Sequence, residues 1–271
     1  MANYKKLVLT NKLRVVLYPM PNSHSVTIEI GIKAGSRYEP EGLYAAAHFL
    51  EHMLFEGSIR FPTSSSLSNF IERKGGRGWA VTEKECVTYG ARVQPKYLAV
   101  GFEYLHELLY KPLLSKDSIE KERKIITEEQ RARTDNTTEY IWDLWFKEVW
   151  GTNHPLGRFN TGDENSINII SQEKLLWYMN NYYIPQNMVL IVCGNFSYKE
   201  AEYYIKKFFD LKNENISNFS EAKQIQTNPN EIGNKINIIK TDSQQVQFIL
   251  GFITGVSLKH EDRYTLRLVG D

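Results

Sequence analysis

The 271-residue sequence predicts an α+β fold in which a β-sheet is layered against helices. Three observations carry that prediction. Short runs rich in Val, Ile and Thr alternate apolar and other residues at period two. Longer segments place apolar residues at helical spacing. Glycines, prolines and asparagines separate the two kinds.

The elements follow in chain order. Leu13–Leu17 and Val26–Ile32 are strands. Arg37–Gly42 is a turn, and the Ala-rich stretch Tyr44–Leu54 after it favours helix. Thr63–Lys74 is a short helix with a hydroxyl cap, ended by Gly75-Gly76. Trp79–Thr82 and Val87–Val93 are paired strands around a polar turn. Tyr97–Tyr110 is an amphipathic helix, and Ser115–Arg133 is a longer, highly charged one. Tyr140–Trp150 and Glu173–Tyr182 are aromatic-rich helices. Asn187–Gly194 has the composition of a buried strand, and Tyr198–Phe209 is helical.

A hydrophobic content of 42% supports a packed core. Net charge is +1, from 33 basic and 32 acidic residues, which argues against a nucleic-acid partner. No apolar run reaches the ~20 residues of a membrane span, and the N-terminus has no signal-peptide core. A cytoplasmic location without membrane contact is the expectation. Cys86 and Cys193 make no disulfide framework and are expected to be buried thiols on strands.

Composition changes after the last helix. Residues 213–233 are expected to form a polar linker, rich in Asn. Beyond it, Asn234–Ile239 echoes Asn11–Val16, and Val246–Phe252 echoes Val26–Ile32 at nearly the same offset. An internal duplication accounts for this. The expected division is a first repeat at 1–212 and the beginning of a homologous second repeat at 234–271.

The chemistry concentrates at His48-Phe49-Leu50-Glu51-His52. A helix turns about 100° per residue, so Glu51 lies about 60° to one side of His48 and His52 about 40° to the other. Two imidazoles at this spacing can converge on one metal, and a carboxylate on the same face can reach a water bound to it. A tetrahedral catalytic zinc takes a third protein ligand. Lys121–Glu129 is the best source, because Glu122 and Glu129 are seven residues apart and share a helix face. One of that pair can ligate while the other supports a histidine.

With these residues in view, the chain resembles the pitrilysin/insulinase family of zinc peptidases. That family has His-x-x-Glu-His, then about 76 intervening residues, then a ligand Glu; the count lands on Glu129. A supporting Glu seven positions earlier lands on Glu122. Gly35–Glu39, Phe55–Ser58, His154–Arg158 and Tyr183–Met188 also match family-like patterns. The resemblance implies a mixed, largely antiparallel sheet packed against helices. It implies one Zn2+ in the catalytic repeat, held by His48, His52 and Glu129, with Glu122 supporting a histidine and Glu51 as catalytic base. It further implies that Trp79, Ala80, Val81 and Thr82 form an edge strand that pairs with a peptide substrate.

Two departures stand out. Trp79 occupies a position where the family usually has Asn, and packing is the favoured role for its ring. The family's second repeat closes over the active site and supplies an Arg-Tyr pair, and this chain carries only the start of that repeat. A complete second repeat, or a partner in a homo- or hetero-oligomer, is therefore expected. The expected function is a zinc-dependent endopeptidase acting on peptides or small unfolded proteins. A non-catalytic peptide-binding subunit is the alternative, but such subunits usually lose the motif that this chain retains.

Overall fold

A computed structural model describes residues 4–211, 236–240, 245–252, 254–256 and 260–270. Its centre is a six-stranded sheet: β1 (Lys5–Val8), β2 (Arg14–Pro19), β3 (Val26–Ile32), β4 (Arg77–Thr82), β5 (Val87–Val93) and β6 (Met188–Gly194). The strand order is β1-β2-β6-β3-β5-β4. β2 and β6 run parallel and every other neighbouring pair is antiparallel, so the sheet is mixed and largely antiparallel as expected. β3 shows why it folds this way: Val26, Ile28, Ile30 and Ile32 are buried while Thr27, Glu29 and Gly31 are less so. That period-two pattern gives the sheet one covered face.

Nine helices are described: α1 (Ala46–Phe55), α2 (Ser64–Glu72), α3 (Leu98–Tyr110), α4 (Lys116–Asp135), α5 (Thr137–Trp150), α6 (Glu164–Asn168), α7 (Gln172–Tyr182), α8 (Tyr198–Phe209) and α9 (Arg263–Gly270). Thr63 caps α2 through a capping box with Ser66, and Gly75 turns the chain at φ 69° after the helix. Ser115 caps α4. The core runs continuously from Leu9 to Phe209 through the sheet and its helices.

Three elements, β1, α6 and α9, escape the sequence patterns. β1 is only four residues long and opens on two lysines, as suits an exposed edge strand. α6 is five residues held by the Asp163 capping box, too short for a helical period to register. The cysteines also differ from expectation. Both are half-buried, and Cys86 lies in the turn before β5. The linker 213–233 lies outside the described residues. Residues 236–240 and 246–252 pair with no strand among the described residues.

Candidate active site

The helix that carries the motif begins without a cap of its own. Ala45 sits at the N-cap with φ 74° and offers no side-chain acceptor. Glu39 reaches in from the preceding turn instead. Its carboxylate accepts hydrogen bonds from the backbone N–H of Ala45 at 3.0 Å and of Ala47 at 2.8 Å. Glu39 is only 4% exposed, and burial raises its carboxyl from 4.5 to about 8 despite those two bonds. Glu39 falls within a family-like segment, but no local pattern in the sequence assigns it this role. The missing N-cap residue on α1 was the available signal.

One turn further on, His48 and His52 lie with ring centroids 4.6 Å apart. α4 crosses α1 and brings Glu129 to both: His48 Nε2 is 3.6 Å from Glu129 Oε1, and His52 Nε2 is 3.3 Å from Glu129 Oε2. The three ligand atoms lie within 4.8 Å of one another. Donors about 2.1 Å from a shared tetrahedral ion lie roughly 3.4 Å apart, so this set fits a zinc ion. Glu122, buried two turns earlier on α4, faces His52 Nδ1 at 2.9 Å. That contact fixes the ring and leaves Nε2 free to ligate. Glu128 points elsewhere and pairs with Arg131.

The electrostatics suit a cation. Burial, together with the neighbouring His52, pushes His48 down to about 4, so its imidazole is neutral near pH 7. His52 is held up because hydrogen bonds to Glu129 and Glu122 outweigh its burial. The His52 contact holds Glu129 below the usual carboxylate range, while about half of its side chain faces solvent.

Glu51 projects from the same helix, and burial raises its carboxyl. The Thr82 hydroxyl donates a hydrogen bond to Glu51 Oε2. Thr82 ends β4, the outermost strand of the sheet, which among the described residues bonds to β5 alone. The four residues expected to meet substrate thus lie on a free edge next to the motif helix. Trp79 and Thr82 are three apart on a strand and face opposite sides. The Trp79 ring lies over its cross-strand partner Gly90, where a Cβ would fall 2.1 Å from it. Val81 is half exposed, and Ala80 packs against the core.

The end of β4 is tied down where two family-like segments meet. Asn160 Nδ2 donates to the Thr82 carbonyl at 3.3 Å, and Ser36 Oγ donates to Asn160 Oδ1 at 2.8 Å. Lys84 Nζ donates to the Arg158 carbonyl at 2.6 Å. His154 takes a structural place, accepting from the Leu156 N–H and stacking on Trp150.

An α+β layer in which one helix carries two histidines and a glutamate in the inverted order, with a carboxylate from a second helix brought to both histidines, matches the class of inverted-motif metallopeptidases. Comparison with known proteins gives the particular family. The family model for insulinase (Peptidase family M16) matches residues 14–158, and the model for the Peptidase M16 inactive domain matches residues 170–271. The chain belongs to the insulinase family of peptidases. It is 29% identical to an uncharacterized zinc protease of Bacillus subtilis, over 97% of this chain and 62% of that protein. It is 27% identical to a probable mitochondrial-processing peptidase subunit beta of Schizosaccharomyces pombe, over 95% of this chain and 56% of that one. The crystal structure of a protease from Helicobacter pylori superposes with a TM-score of 0.76 at 25% identity, covering 82% of this chain and 54% of the other. The chain therefore spans between about half and less than two thirds of the length of these relatives.

Proposed function

We propose that the chain is the catalytic part of a zinc-dependent endopeptidase that hydrolyses peptides or small unfolded proteins. The observation that carries this reading is the convergence, within 4.8 Å, of Glu129 from α4 on His48 and His52 of α1, the helix that also presents Glu51. Both histidines would bind one zinc ion through Nε2, and Glu129 through its carboxylate. Zinc bound there would polarise the scissile carbonyl and bring the pKa of a water toward ~7.

Glu51 takes the proton of the attacking water and passes it to the departing amine. Thr82 fixes which way that carboxylate faces. An extended peptide adds beside β4, with main-chain hydrogen bonds supplying affinity. Residues 1–212 form the catalytic repeat, 213–233 link it onward, and 234–271 begin a second repeat. That second repeat, completed in a longer chain or supplied by a homo- or hetero-oligomeric partner, covers the site during turnover.

Zinc analysis and peptide cleavage test this, on the chain alone and extended through a complete second repeat. The expected result is one zinc per catalytic repeat and cleavage by the extended form. Glu51→Gln should keep the zinc and lose at least about 100-fold in turnover, as removal of a general base does. A folded, zinc-free protein sinks the metal reading, and cleavage by Glu51→Gln at the wild-type rate sinks the role of Glu51.

A further inference from the structure

Arg133 lies one helical turn beyond Glu129 on α4, so the two side chains share a face. A guanidinium there is a poor neighbour for a site that must hold a cation. Its charge is felt at both His48 and Glu129, where it disfavours a further proton. Arginine also pairs with carboxylates through two parallel hydrogen bonds, and the half-exposed Glu129 carboxylate offers such a partner. A free Arg133 would compete with the metal for its own ligand.

The structure gives that guanidinium another partner. Asp143, on α5 and only 7% exposed, accepts from Arg133 Nε at 2.5 Å and from Nη2 at 3.2 Å. Glu139, one turn earlier on α5, accepts from Nη1 at 3.0 Å. The fork is thus turned toward α5. Lys84 lies close enough for both Asp143 and Arg133 to act on its charge, so Asp143 balances two cations beside the site.

We propose that Asp143 is a positioning residue of the metal site: it holds the Arg133 guanidinium against α5 and keeps it off Glu129. This rests on the zinc reading above. The signature is a loss of metal affinity on freeing Arg133 that is recovered by deleting Arg133 as well. A purely structural Asp143 would lower the melting temperature of the single variant without this pattern in zinc affinity.

The test is zinc competition against a chromophoric chelator, with thermal melts on the same samples of the full chain. Asp143→Asn, which keeps the size but loses the charge, is expected to bind zinc roughly tenfold more weakly, the scale of one added charge at a partly solvated site. Asp143→Asn/Arg133→Met removes both charges together, which buried pairs tolerate, and should return to within about twofold of wild type. Unchanged affinity in the single variant, or no recovery in the double, overturns the proposal. Should Asp143→Asn fail to fold, Arg133→Lys against Arg133→Met decides. A lysine keeps the charge without the fork and should weaken zinc binding severalfold relative to methionine; equal affinities overturn it. A wild-type chain that binds no zinc sinks the metal reading itself, whereas tight zinc binding with indifferent variants sinks this inference alone.

Discussion

Thr82 carries two duties through different atoms. Its carbonyl is held by Asn160, and its hydroxyl is spent on Glu51. The sequence marks Thr82 as part of a strand expected to meet substrate. It does not reveal the hydroxyl's partner, because that depends on how α1 crosses the end of β4. Glu51 and Thr82 are 31 residues apart, beyond the reach of any local pattern. His48, Glu51 and His52 were legible because helical spacing alone puts them on one face. Thr82→Val keeps the shape and removes the donor. In an active preparation, turnover should fall about 10- to 100-fold, the kinetic equivalent of a hydrogen bond to a charged group. Zinc affinity should stay level and Thr82→Ser should recover most of the rate. Full activity in Thr82→Val would show that Glu51 needs no such orientation.

At the scale of elements, α4 was the most readable and the start of α1 the least. The seven-residue spacing of Glu122 and Glu129 survives folding because α4 is one unbroken helix, so both carboxylates meet the histidines. The start of α1 depends on a residue outside the helix. Glu39 closes the first turn from six residues before Ala45, and only the missing cap on α1 hints at it. This anchoring has a pH consequence. Glu39 is raised from 4.5 to about 8 in the folded chain. Below about pH 4.5 both folded and unfolded chains hold the proton, and the contribution to stability is complete. Between 4.5 and about 8 only the folded chain holds it, so stability falls as pH rises, and above that range the contribution is gone. Urea unfolding at pH 5.5 and pH 8.5 should therefore show a decline in the wild type that Glu39→Gln flattens, by on the order of a few kcal/mol. Parallel pH profiles for the two proteins would mean that Glu39 is ionised in the fold.

For the whole molecule, the question is where the folding unit of the proposed zinc site ends. Family matching changes from one model to the next between residues 158 and 170, but the packing does not divide there. α7, β6 and α8 all follow residue 170, and β6 sits in mid-sheet, bonded to β2 on one side and β3 on the other. Leu190, Val192, Ile205 and Phe209 belong to the same core as Phe49 and Leu50 of the motif helix. No residue after Phe209 belongs to that core among the described residues. Beyond it, Ile236, Ile238, Val246, Phe248, Leu250 and Phe252 are almost fully exposed. The segment touches α5 through Asn237 on Glu148 and Gly251 against Trp145. The expectation of a linker at 213–233 rests on its polar, Asn-rich composition, and that segment lies outside the described residues. A chain of residues 1–212 should therefore fold, melt cooperatively and bind zinc within about twofold of the full chain, since the helices that carry the proposed ligands belong to the core that closes at Phe209. It should also bind less of a hydrophobic dye, having lost an exposed apolar stripe. A chain of residues 1–169 lacks β6 and should not fold. Loss of zinc binding or of a cooperative melt in 1–212 would mean that the segment after Phe209 is part of the unit that holds the metal.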